Sequence, residues 1–213
     1  MLHQTQLAPA TAELLGDLRP LIEQLGSAAG LAALAGGSGN LPVRRISTAA
    51  DLQLFLQNYH TRILQPLELP AIQRAFNHAR RNEVRELIAC DRQMAGEPML
   101  QNFSAASRLA GQSQLQRLRP LRDERVVQRY LGAVERGEAH GWHTLVYGLT
   151  LAVYSLPLRQ GLVGYAQQTT RGFLQSAARS LALSESDYTT VFANLSAAFP
   201  AAVESLLAPS VLA

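Results

Sequence analysis

The sequence predicts an all-α protein, a single-domain bundle of roughly eight to ten helices, and three observations carry that expectation. Hydrophobic residues make up 47% of 213 residues but aromatics only 6%, and among the aliphatics Ala and Leu far outnumber Val and Ile, a balance that favours helix over sheet. The apolar residues recur at three- and four-residue spacing, the period of a helix buried on one face. No alternating strand run and no hairpin turn interrupts that period. The length suffices for one real core.

The elements follow in order. Residues 11–35 read as one or two short helices, opened by Thr11 with Glu13 in the first turn, and residues 36–45, GGSGNLPVRR, as the clearest loop of the chain. Residues 1–45 are thus set apart as an N-terminal helical segment with a flexible Gly-rich loop, and residues 46–213 as the all-α core. Thr48, with Asp51 three residues on, caps a helix whose face is Leu52, Phe55, Leu56, Tyr59 and Ile63. Pro66 is expected to end that helix and Pro70 to open the next. Val84, Leu87 and Ile88 stripe another, and Pro98 opens a segment with Met99, Phe103, Ala106 and Ala110 on one face. Pro120 interrupts an Arg-rich stretch, after which Val126, Val127, Tyr130, Leu131 and Val134 mark a helix up to Gly137. Ser184 and Asp187 form a second capping pair ahead of Phe192, Leu195 and Phe199, and Pro200 starts a short terminal helix.

Between these lies Gly141 to Leu158, a stretch without Asp, Glu, Lys or Arg. A membrane span needs about 20 apolar residues, whereas this stretch holds His143, Ser155 and the helix-disrupting Pro157 and is followed by Arg159. The expectation is a helix apolar on nearly all sides at the centre of the domain, not a span. Pro157 then initiates the next helix, where Gly161 and Gly164 allow a neighbour to approach closely.

Composition narrows the function classes. All 19 basic side chains are Arg, and the net charge is only +3, so charge by itself does not indicate a nucleic-acid partner. Cys90 is the only cysteine, which rules out an intrachain disulfide and fits a reducing compartment. The first residues lack the basic flank and apolar core of a signal peptide, so the expected location is cytoplasmic.

Arg108 to Arg136 contains seven Arg against Asp123, Glu124 and Glu135, a local charge of 7 − 3 = +4. With few aromatics interleaved, it reads as a solvated or protein-contacting face, and Arg117, Arg122 and Arg125 are its candidate contacts. His140 and His143, at i and i+3, are the only pair spaced for a shared metal. No third ligand lies nearby, so no metal or cofactor is expected. The phosphate-binding, nucleophile-elbow and zinc-protease motifs are absent, and nothing supports an enzyme.

Over residues 46 to 199 the chain resembles the UreF family of urease accessory proteins. LQNFSAASRLAGQSQLQRL is similar to the family's Ala-Ser pair followed by Gly, here Ala106, Ser107 and Gly111. The stretch beginning GWHTLVYGLTLAVYSLPL is similar to its apolar-aromatic-Gly pattern and Pro-Leu junction, with Leu145, Val146, Tyr147 and Gly148, and later Ala177 and Arg179. Leu69 and Pro70 stand at the junction of the family's earlier helix pair. The family's N-terminal Gly-rich motif and polar C-terminal tail are not matched, which marks a diverged member.

The resemblance implies a non-enzymatic, homodimeric adaptor. It would bridge a UreD-type protein (also called UreH) and the nickel-carrying GTPase UreG, to deliver nickel to urease. The alternative is a diverged helical interaction protein with a urease-independent role. The implied contact or packing residues are Ser107, Gly111, Tyr147, Gly148 and Arg179, beside the basic face.

Overall fold

A computed structural model describes residues 46–181 and 183–208; the expectations for residues 1–45 lie outside them. The described residues are helical and contain no strand. The elements are α1 (Ala49–Tyr59), a π-helical stretch (His60–Glu68), α2 (Leu69–Arg80), α3 (Val84–Ala95), a 3-10 stretch (Pro98–Phe103), α4 (Ser104–Leu118), α5 (Arg125–Glu135), α6 (His143–Val153), α7 (Leu158–Leu181), α8 (Glu185–Ser196) and α9 (Phe199–Leu207). Several run on from one another, leaving seven continuous rods among the described residues, slightly fewer than the eight to ten expected of the whole chain.

Both expected capping boxes form. Thr48 accepts from the Asp51 backbone and Asp51 reaches back to Thr48; Ser184 and Asp187 repeat the arrangement at α8. Each satisfies donors that a helix start otherwise leaves open.

Pro66 does not end its helix. It lacks the N–H for the usual bond to the carbonyl four residues back, and its ring crowds that carbonyl. The chain widens instead into the π-helical stretch, where Leu69 N–H bonds Leu64 O five residues back, and α1 and α2 become one long rod. Widening of this kind is rare and often coincides with functional positions. Here it carries His60 and Glu68, both buried.

The apolar stretch from Gly141 becomes α6, buried at every residue from His143 to Leu151. It packs most extensively on α2, then on α4, and also meets α7. The start of α7 at Leu158, just after Pro157, agrees with the sequence. Around this centre α3 lies between α2 and α5, and α8 and α9 pack on α7. Rings fill the far side: Phe173 meets Tyr59 at 5.1 Å and Phe55 at 6.1 Å, and His60 meets Phe199 at 5.0 Å. Glu185–Leu207 is long and apolar enough to cross a membrane by length and composition. It nevertheless contains Pro200, Asp187 and Glu204, and buries Val191, Leu195, Phe199 and Val203 in the core.

Candidate functional site: the polar spine around the central helix

Of the residues singled out by sequence, Ser107, Gly111, His143, Tyr147 and Gly148 meet around the N-terminal half of α6. Ser107 and Gly111 lie one turn apart on α4 and face the loop that enters α6. At Gly111 a Cβ would strike the Gly141 carbonyl oxygen and lie 2.7 Å from the His143 nitrogen, so only glycine lets the two backbones meet. At Gly148 a Cβ would press on the Ile72 carbonyl and come within 2.9 Å of the Ala75 Cβ, which explains the tight crossing of α6 on α2. Tyr147 turns the other way and donates its hydroxyl to Gly161 O at 3.0 Å, tying α6 to α7.

Ser107 supplies more than a small side chain. Its hydroxyl lies 2.6 Å from His143 Nδ1 and accepts the His143 backbone N–H at 3.3 Å. On the other side of the imidazole, Nε2 is hydrogen-bonded to the Tyr165 hydroxyl. Tyr165 is in turn bonded to Glu68, which also accepts the Tyr59 hydroxyl at 2.6 Å. Ser107, His143, Tyr165, Glu68 and Tyr59 thus form one buried chain of hydrogen bonds linking α4, α6, α7, the π-helical stretch and α1.

Burial sets the protonation of this chain. His143 is pushed down to about 3 and so is neutral near pH 7, and His60, whose Nε2 lies 2.8 Å from Thr170 Oγ1, is pushed to about 4. Among the described residues Glu68 forms no ion pair, and burial raises it to about 7 against the lowering effect of the Tyr59 and Tyr165 hydrogen bonds. With Glu68 ionised, both tyrosines donate to it, so His143 donates from Nε2 and accepts the Ser107 proton at Nδ1. With Glu68 protonated, the Tyr165–His143–Ser107 chain can run in reverse.

A second buried carboxylate orders the loop ahead of α6. Asp91 is fully buried and accepts the Tyr130 hydroxyl at 2.6 Å and the backbone N–H groups of His140, Gly141 and Trp142 at 2.6, 2.9 and 3.4 Å. Gly141 adopts φ +72° to present its N–H there, a conformation open to glycine.

A Ser–His pair at 2.6 Å resembles a nucleophile and its base, but every member of this chain is buried. The arrangement positions helices instead of meeting a substrate. His140 and His143 do not come together as ligands, because both ring nitrogens of His143 are committed to Ser107 and Tyr165. Among the described residues no cluster of three or more His, Cys, Asp or Glu suits a metal.

Part of the basic stretch is paired within the fold. Arg119 pairs with Glu135, and Arg136 with Glu138 at 2.7 Å. Arg117, Arg122 and Arg125 are exposed and form no ion pair among the described residues. Arg179 falls on α7, and its side chain lies outside the described ones.

Sequence reasoning missed Glu68 and Asp91. A signal existed: Glu68 sits four residues from both Leu64 and Ile72, and Asp91 four from Leu87 and three from Met94, each a lone acid on an otherwise apolar face. A UreF family model matches residues 46–196, which spans α1 to α8. Comparison with curated proteins found no match.

Proposed function

The chain belongs to the UreF family, and from that premise we propose that it acts as a non-enzymatic adaptor in urease maturation. UreF proteins are urease accessory proteins rather than enzymes. In the proposed role this chain bridges a UreD-type (UreH-type) protein and a UreG-type GTPase, and so passes nickel, the cargo, towards urease. It works in the cytoplasm, as a homodimer, without a cofactor of its own.

The observation that carries the reading is the contrast between interior and surface. The Ser–His pair, with its Tyr and Glu partners, is locked in the buried spine, while Arg117, Arg122 and Arg125 face outward. Coupling to a GTPase needs only that the adaptor bind one nucleotide state better than the other. No catalytic side chain is required.

The test is a pull-down of the tagged full-length protein from its native extract, with and without GTP, together with urease activity in a strain lacking the gene. Recovery of UreD-type and UreG-type proteins and loss of nickel-loaded urease are expected. Intact nickel loading in the deletion strain would sink the proposal.

A further inference from the structure

Arg108 is the one charged residue of α4 whose side chain turns towards the loop ahead of α6, with its guanidinium 5.4 Å from the centre of the Trp142 ring. Arg108 Nε and Trp142 Nε1 are both buried without an acceptor among the described residues, and Trp142 as a whole is only 1% exposed. A buried N–H left unpaired costs about 1–3 kcal/mol, so two such groups side by side call for an explanation.

Among the described residues no carboxylate supplies that acceptor. α4 contains neither Asp nor Glu, and Arg108 forms no ion pair among the described residues. Asp91, beneath the same loop, is already spent on Tyr130 and three backbone N–H groups. The next residue on α4, Leu109, is 64% exposed. Gln112, one turn on, donates to His140 O at 2.9 Å and holds the rim.

We propose that Arg108, stacked on Trp142 beside the exposed Leu109, is a docking point for a partner protein segment that presents a carboxylate next to an apolar side chain. An incoming Asp or Glu draws the guanidinium outward and accepts from Nε and a terminal nitrogen together, the side-on fork that arginine offers carboxylates. Movement of the guanidinium frees Trp142 Nε1 to find an acceptor, while Leu109 shields the new ion pair from water. Arginine is among the residues that dominate interface energies. The site is separate from the face of Arg117, Arg122 and Arg125, and it stands whichever protein the adaptor meets.

Trp142 is the only tryptophan, so its fluorescence reports on this site alone. The experiment titrates the full-length protein with a blocked amphipathic peptide of Leu and Glu, and with the same peptide carrying Gln for every Glu. A saturable change in Trp142 emission is expected with the Glu peptide only. Binding should weaken at least about tenfold in Arg108→Gln, the scale of a single charge-assisted hydrogen bond. Leu109→Asp, at an exposed position that the fold does not need, should weaken it too, and Arg85→Gln on α3 should leave it unchanged.

Equal responses to both peptides, or equal binding by wild type and both site variants, would overturn the proposal. So would a wild-type protein whose Trp142 emission does not respond to the Glu peptide. No urease component enters the titration, so its outcome is distinct from that of the pull-down.

Discussion

Replacing Glu68 by Gln keeps the shape of the side chain and an acceptor for Tyr59 but removes the ionisable group. The folded carboxyl titrates at about 7 against an ordinary 4.5, so the fold prefers the protonated form. Its contribution is fully present below the unfolded value and is lost as pH rises through the folded one. At ~1.4 kcal/mol per pH unit, the wild type gains roughly 2–3 kcal/mol from this position between about pH 8 and about pH 5. The variant gains nothing there.

His60 and His143 act in the opposite sense, with folded values of about 4 and about 3 against an ordinary 6.5. Below that ordinary value the unfolded chain takes up protons that the fold refuses, and near pH 5 each histidine costs about 2 kcal/mol. The wild type should therefore lose only roughly 1–2 kcal/mol on acidification from pH 8 to pH 5, and Glu68→Gln about 4 kcal/mol. In that difference of roughly 2–3 kcal/mol His60 cancels, because it lies outside the spine, whereas His143 is joined to Glu68 through Tyr165 and its share stays within the measured gap. Urea unfolding at the two pH values, followed by helical circular dichroism and Trp142 fluorescence, measures it, and equal slopes with denaturant confirm a shared unfolded state. A wild-type-to-variant gap that is the same at both pH values, or that changes in the other direction, would refute a carboxyl held protonated by burial.

Three further outcomes follow from the packing. Gly111→Ala and Gly148→Ala each put a Cβ against neighbouring backbone; because main chain yields less than side chain, each should cost about 3 kcal/mol or more, seen as a large drop in the unfolding midpoint. Asp91→Ala leaves the Tyr130 hydroxyl and the loop N–H groups without their acceptor, so a loss of about 3–5 kcal/mol is expected, with faster hydrogen exchange at residues 140–142; exchange as slow as in the wild type would show that Asp91 does not hold the loop. Thr48→Ala removes only a helix cap, and a loss near 1 kcal/mol in the same urea assay is the expected scale.

Much of this molecule was legible in the chain itself. Helical class, both capping boxes, the buried central helix and the start of α7 after Pro157 all follow from local rules, because period, caps and proline act within a few residues. Gly111 and Gly148 were legible as close-packing positions through a family pattern, but the sequence did not say what they approach. Pro66 shows where local rules stop: its steric conflict was correctly identified, yet tertiary burial of Ile63, Leu64 and Leu69 favoured widening the helix over breaking it.

The spine lies wholly beyond local reading. Ser107, His143, Tyr165, Glu68 and Tyr59 are separated by up to 106 positions, 165 − 59, and only the packing of α4, α6 and α7 against the π-helical stretch brings their polar atoms within hydrogen-bonding reach. The same packing removes water from them, and that desolvation, not residue type, neutralises the histidine and raises the glutamate. Residue identity determined which groups could titrate or donate, and the tertiary structure decided which of them are shielded inside and which, like Arg117, face solvent.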